Sequence, residues 1–501
     1  MCEAEQNAKL IAELAPHLED GFREAGPRAA AAIATRLAES LWREDIGDAR
    51  RRFRGRVRGR VHAFDRVVLV PVEADPLTLV DHAGLREELA SAVTGLSLAY
   101  ARKALQDQRT RATGFADMLG LVGGLSPDAA GVPLEQLATE GHNLHPCGRT
   151  RLGWDVRDML HHDLETEGTQ VRFVRVPPEM LIGDLEVLPV HEWQLGHLRR
   201  RHAGLFADGT VRVLDEVWPA RPTGALRTLL TQHGYLKLSL DIQVTSSRRT
   251  VSLAATRNGP VLSKLIGGLV EDERVLLMPE VAGGGSSLGT GRELSVIVRR
   301  GLDGRLAPGE LAVPGSALPA IDPITGRTVL AGLVDRSGLG ALGFVTIYAR
   351  LLLPAVLRLA ADHGIGLEAH LQNVVPTFLD GRPHRLGLRD FAGLRIMADR
   401  APQLWPGSVI ATADRQVMLS KVAYTAFQAN LGEIVLRLTE SHGLDEDLAW
   451  AGVREIVDEV LEGYRDHAFF TAPTLPHKAL TRMRLAGEGD VYVPVRNPLH
   501  G

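Results

Sequence analysis

The 501 residues are 45% hydrophobic and 24% charged, enough apolar surface for two or three domains with substantial cores. Fifty-seven lysines and arginines stand against 61 aspartates and glutamates, a formal net charge of −4, so no nucleic-acid or membrane partner is expected. Two cysteines, Cys2 and Cys147, exclude a disulfide framework, and an acidic amphipathic start replaces the basic, apolar start of a signal peptide; the expectation is a cytoplasmic protein.

In chain order, residues 5–45 and 84–112 carry helical apolar spacing, with Leu10, Leu14 and Leu18 in the first. Between them the run RRFRGRVRGR (51–60) leads into VHAFDRVVLVPV and reads as the exposed side of an edge strand entering a hairpin. The stretch GLVGGLSPDAAGVP sets a boundary near residue 126. Next comes EGHNLHPCGRTRLGW (140–154), a loop by composition, for which three readings stand. His142, His145 and Cys147 could ligate a metal, though a fourth ligand is not suitably spaced. The histidines could be structural. Or Arg149 and Arg151, two apart on an extended segment, could point together at an anion.

The segment TGALRTLLT brings Arg227 and Thr228 just ahead of the stretch YLKLSLDIQVTSSRRT (235–250). Strict alternation of Leu236, Leu238, Leu240, Ile242 and Val244 with Lys237, Ser239, Asp241 and Gln243 predicts a half-buried strand. It runs out at Thr245, Ser246 and Ser247, followed by Arg248 and Arg249, hydroxyl and guanidinium donors suited to phosphate or carboxylate. Lys237 and Thr245 would lie roughly 26 Å apart on one continuous strand. For both to serve one nucleotide, the strand must bend or end between them. Gly259 and Pro260 are expected to break the following helix, and GGGSS (283–287) reads as a flexible turn in preference to a phosphate loop.

GRLAPGELAVPGSALPA, from about residue 305, reads as a linker. The apolar run near 341–363, interrupted by Arg350, is a buried helix ending at His363 and Gly364. Beyond it GLEAHLQNVVPTFLDGRPHRLGLRDF predicts a hairpin around Asp380 and Gly381. A two-residue loop would set Asp390 opposite Leu371; a five-residue loop, favoured by Pro383, sets it on the face of Gln372, His370 and Glu368. Glu368 and Asp390 together suit magnesium beside phosphates, or else form ion pairs with Arg389 and Arg395.

Read together, GHNLHPCGRTRLGW, PVHEWQ, ALRTL, KLSLDIQVTSSRRT and EAHLQN followed by RDF, with LPHKALTRMRL and NPL near the C-terminus, resemble the ordered motifs of the NRPS-independent siderophore (NIS) synthetases, the aerobactin-synthetase family, over roughly residues 130–500. The resemblance implies an α+β, cupped-hand architecture: a mainly helical thumb (1–125), a β-rich ATP-binding fingers domain (126–305) and a mostly helical palm with a kinase-like hairpin (306–501). It implies a ligase that adenylates a polycarboxylic acid, citrate or a citrate derivative, and passes the acyl group to an amine or alcohol, with ATP as substrate and Mg2+ as cofactor. A homodimer is also implied. By the same resemblance His142, His145, Arg149, Arg151, Arg227, Thr228, Lys237, Thr245 and Ser246 bind ATP; Arg249, His370, Gln372 and Asn373 hold the carboxylate; Glu368 and Asp390 hold magnesium; and Arg249, Lys237 and His370 are catalytic. Asn143, Arg149, Glu192 and Ala225 depart from the family pattern, Ala225 by removing a hydroxyl. The chain is also shorter than the family's usual length, which suggests a trimmed thumb. Two other classes compete: an ADP-forming small-molecule kinase, and a non-catalytic nucleotide- or acid-binding regulator.

Overall fold

The computed structural model describes residues 3–487 and 489–500, so Cys2 lies outside the described residues. It is 47% helical and 19% strand, with largely antiparallel sheets and helices packed about them, the α+β class expected.

Helices Glu3–Leu14, Glu19–Arg43 and Ala83–Arg111 build the N-terminal part, the last two packing against each other through alanines and leucines. The arginine run between them is not an edge strand. It forms short helical turns (Ala49–Arg52, Arg54–Arg56) and one bridge, Val57 to Leu69. Its charges reach across to acids of the C-terminal helices: Arg58 to Glu440 at 2.7 Å, Arg60 to Glu446 at 2.7 Å.

The large sheet runs, edge to edge, Leu181–Gly183, Glu280–Ser286, Ser295–Arg299, Gly234–Leu238, Thr228–Thr231, Arg212–Pro222, Thr169–Arg175, Leu188–His191. GGGSS is therefore mostly strand rather than turn. Its glycines exist because helix Leu253–Leu269 lies directly on them: a side chain at Gly283 would run into the Thr256 carbonyl. That helix passes unbroken through Gly259 and Pro260, and Gly259 leaves space for the carboxylate of Glu280, which a Cβ would approach to 2.5 Å. The expected linker is also buried chain, with Val313, Ala317 and Leu318 in the core.

A four-stranded sheet, Leu311–Ala312, Val374–Leu379, Arg382–Arg389 and Val275–Met278, joins the second and third parts across residue 305. Its hairpin has the two-residue Asp380–Gly381 turn, both at positive φ, as an Asp-Gly pair prefers. The loop length thus differs from expectation, yet the facing does not. A bulge between Pro376 and Phe378 adds one residue on the returning strand, and the Thr377 hydroxyl closes it by accepting the Arg385 N–H at 3.0 Å. One extra residue shifts the register by one and leaves Asp390 on the side of Glu368 and Gln372. Helix Gly340–His363 is the one described helix long and apolar enough to cross a membrane; it packs in the core and ends on Gly364 at φ 65°.

Candidate active site

The predicted long strand does end between Lys237 and Thr245. Ser239 makes the break: its hydroxyl donates to the Arg292 carbonyl at 2.7 Å and accepts the Val251 N–H at 3.0 Å. Gly234–Leu238 stays in the large sheet, while Leu240–Val244 turns away and pairs with Ser247–Arg249 through a Thr245–Ser246 turn. The charged face expected to be solvated is buried, Lys237 being 2% exposed.

Three non-glycine residues around this break hold left-handed backbone: Leu226 at φ 60°, Thr245 at φ 57° and Asp390 at φ 66°. Each such residue costs about 1–3 kcal/mol and persists where its surroundings demand it. Here the strain aims Arg227, Arg249 and Asp390 at one another's fields.

The charges are set out in two tiers. In the lower tier Lys237 donates to Asp390 at 2.6 Å and stands 3.7 Å from Glu280, while Arg299 lies 3.6 Å from Glu280 and 3.5 Å from Asp390. Burial would raise the Asp390 carboxyl, but Lys237, Arg299 and Arg227 hold it far below the usual carboxylate range. Thr228 sits directly opposite Lys237 on the paired strand. In the upper tier Arg227 and Arg249 have no carboxylate at ion-pair distance among the described residues. Arg227 donates to the Thr250 carbonyl at 2.9 Å; Arg249 donates to the Val244 carbonyl at 3.0 Å and the Thr245 hydroxyl at 2.8 Å, and its Nε is buried without a partner. Burial, reinforced by Arg227 and Arg151, pulls the Arg249 guanidinium down to about 9. Half-buried cations without counter-ions, one with its Nε sealed from solvent, suit an anion.

The histidine loop lies beside this tier. The His145 Nδ1 accepts the Cys147 N–H at 3.0 Å, so Nε2 carries the proton and donates to the Ser246 hydroxyl at 2.6 Å. Burial and nearby Arg249 push His145 down to about 3, so it is neutral at physiological pH. The His142 Nδ1 accepts the Leu144 N–H at 3.0 Å, and its ring stands 6.5 Å from that of His370. Burial pushes the Cys147 thiol up to about 12, and no group of three or more metal-ligating residues occurs among the described residues. Arg149 and Arg151 do not project together into an open site. Arg149 bonds Glu165, and Arg151 grips Asp163 at 2.9 Å, all four buried. They fix the loop from beneath; Arg151 reaches the anion site only through its field on Arg249.

On the palm side Glu368 and Asp390 line one cavity. Neither is paired with Arg389 or Arg395, which go to Glu135 and Asp490. Glu368 accepts from Lys421 at 2.6 Å; burial, which would raise its pKa, is outweighed by that ammonium. Each carboxylate thus already holds a cation, and the donor set is oxygen only, which fits a magnesium ion completed by phosphate oxygens. His370 feels the field of both; burial holds its pKa below the ordinary histidine value against the opposing pull of Glu368 and Asp390. The Asn373 amide donates to the Glu368 carbonyl at 3.0 Å and so shapes the turn, while the Gln372 side chain lies against Gly224 beside the Arg227 turn.

Sequence reasoning missed Glu280, Arg299, Lys421 and Glu135. Glu135 accepts the Gly224 N–H at 2.5 Å and also binds Arg389, tying the Arg227 turn to the palm. The one available signal was a charge inside an apolar strand run, as in LLMPEV and SVIVRR.

Two family models match the chain: IucA / IucC family over residues 182–320, and Ferric iron reductase FhuF-like transporter over residues 344–493. The D-ornithine–citrate ligase of Staphylococcus aureus is 24% identical over 88% of this chain and 80% of its own. In fold, the petrobactin biosynthesis protein AsbB from Bacillus anthracis superposes with a TM-score of 0.78 at 18% identity, covering 100% of this chain and 98% of that one. The ATP-bound aerobactin synthetase IucA from Klebsiella pneumoniae gives 0.69 at 18% identity, over 87% and 89%. Ordered motifs, a family match through the finger strands and a shared architecture thus agree in likening the chain to the IucA/IucC-type NIS synthetases.

Proposed function

We propose that this protein is an ATP-dependent, AMP-forming ligase that adenylates a carboxylate of citrate or a citrate derivative and condenses it with an amine or alcohol in siderophore biosynthesis. The observation that carries this is the pair Arg227 and Arg249, half-buried cations with no carboxylate at ion-pair distance among the described residues, whose fields both fall on Asp390, the partner of Lys237. Adenylation brings two anions together, so fixed positive charge must be in place before they meet. A relative acting on citrate and D-ornithine supports the substrate class.

In this reading the carboxylate oxygen forms a bond to the α-phosphorus, the bond to the β-phosphate bridging oxygen breaks, and pyrophosphate leaves. Arg249 holds the carboxylate against the α-phosphate, and Arg227 and Lys237 take the charge of the leaving pyrophosphate. The neutral His145 holds Ser246, and with it the Thr245 turn that orients Arg249. Glu368 and Asp390 would hold the magnesium ion, which when bound supplies charge neutralisation along the phosphates. The amine nitrogen then bonds the acyl carbon, the bond to the AMP oxygen breaks, and neutral His370 takes the proton the amine sheds. Gln372 and Asn373 flank the acid. The reading includes a homodimer in a reducing compartment, where the buried free thiol of Cys147 stays reduced.

Hydroxylamine tests this directly. With citrate and ATP it should trap the activated acyl group as a hydroxamate in step with pyrophosphate release; an acid-dependent phosphorylated product would overturn the reading.

A further inference from the structure

A second charged cavity lies beside the histidine loop, its polar lining Arg43, Arg66, His62, His477, Gln428 and the carboxylate-bearing Glu446, its apolar wall including Phe64 and Leu144. It brings together the end of helix Glu19–Arg43, the turn at 62–66, the segment Ala423–Leu431 and strand Thr474–Lys478. Arg43 is 5% exposed, yet its guanidinium makes no hydrogen bond or ion pair among the described residues, and its Nε is sealed from solvent. Arg66 spends one nitrogen on Glu433 at 2.5 Å and leaves the other buried without a partner.

The carboxylates nearby, Glu446 on the cavity wall included, are all engaged by donors other than Arg43. Glu44 accepts the Ser40 hydroxyl and the Thr481 and Arg482 N–H groups. Glu39 accepts the Leu69 N–H. Glu433 is shared by Arg66, Asn143 and Arg437, and Glu446 by Arg60, His62 and the Ala63 N–H. The His477 Nδ1 is taken by Gln428 at 2.7 Å, and Tyr424, 5.4 Å ring to ring from His477, buries a hydroxyl without a partner. Phe64, on the cavity wall, sits at φ 58° and is pinned edge-on by Trp450, so the wall is held rigid.

A guanidinium out of water with no counter-ion is costly, and a neutral water cannot offset its charge. The cavity has room for about one small body, and most of its lining is apolar, which leaves no space for phosphate or an organic acid. We propose that it binds a chloride ion between Arg43 and Arg66, fastening the N-terminal helix, the C-terminal strand and the back of the histidine loop to one another. The ion would touch Leu144, two residues from His142 and one from His145, so its binding stiffens the loop whose His145 holds Ser246, without entering the nucleotide site.

The test is thermal unfolding of the full chain in sodium chloride against sodium gluconate at equal ionic strength. Chloride should raise the Tm saturably, on the order of 2 °C, and Arg43→Met should remove the difference between the two salts. Identical unfolding of the wild type in both salts would overturn the proposal. Crystals grown in bromide decide independently of any variant. An anomalous peak beside Arg43 supports the site, and a map with none there refutes it.

Discussion

The Lys237–Asp390 pair offers the sharpest energetic prediction. Lys237 is held out of bulk solvent, the Asp390 side chain is 26% exposed at the end of the palm hairpin, and the ammonium sits 2.6 Å from the carboxylate. Removing one member of a buried pair typically costs about 3–5 kcal/mol, because the other is left uncompensated. Neither partner here is left wholly alone. Lys237→Met leaves Asp390 with Arg299 at 3.5 Å, and Asp390→Asn leaves Lys237 with Glu280 at 3.7 Å, so each single change should cost about 2–3 kcal/mol. Removing both strips out the demand together with the supply, and the double variant should be less destabilised than the sum by about 1–2 kcal/mol. Urea unfolding of the four proteins measures this coupling, with the m-value checked for constancy. Costs additive within about 0.5 kcal/mol would refute the pairing.

Other consequences are direct. Arg249→Met should reduce acid-dependent turnover by about 10²–10³-fold, the usual cost of losing one donor to developing charge, while leaving the fold intact; near wild-type rates would remove Arg249 from the chemistry. Glu280→Gln should loosen the Lys237 ammonium and raise the KM for ATP more than it lowers kcat, a split read from steady-state kinetics at saturating acid. Acid should destabilise the protein before its carboxylates titrate. Burial holds His145 and His191 at about 3 and His162 at about 4, all below the unfolded value of 6.5. The unfolded chain therefore binds more protons between those limits, and stability falls as pH drops below 6.5. For His145 and His191 this is about 2 kcal/mol each by pH 5, visible as a Tm that declines from pH 6.5 downward. A Tm flat from pH 7 to 5 would contradict it.

The parts of this molecule that follow from local rules were readable from its residues. Alternation located the Lys237 strand, the reach between Lys237 and Thr245 demanded a break, and Ser239 supplies it. Asp380 and Gly381 fixed the turn, and the face of Asp390 came out as expected although the route, a bulge closed by Thr377, did not. What escaped was set by partners distant in sequence. The arginines of 51–60 look like an exposed edge until Glu440 and Glu446 are brought opposite them, nearly 400 residues on. Gly283 looks like a turn until the Thr256 carbonyl presses on it. Arg149 looks like an anion ligand until Glu165 is folded beneath it. Glu280 and Arg299 gave only a charge in an apolar run, because their role rests on what lies across the sheet.

The most direct test of the account is product analysis of ATP turnover with citrate, with and without a mixture of amines, measuring AMP, ADP and pyrophosphate separately. The account predicts citrate-dependent AMP and pyrophosphate in equal amounts, accelerated by the right amine. Citrate-dependent ADP, or ATP bound without turnover across a broad panel of acids and amines, would contradict it.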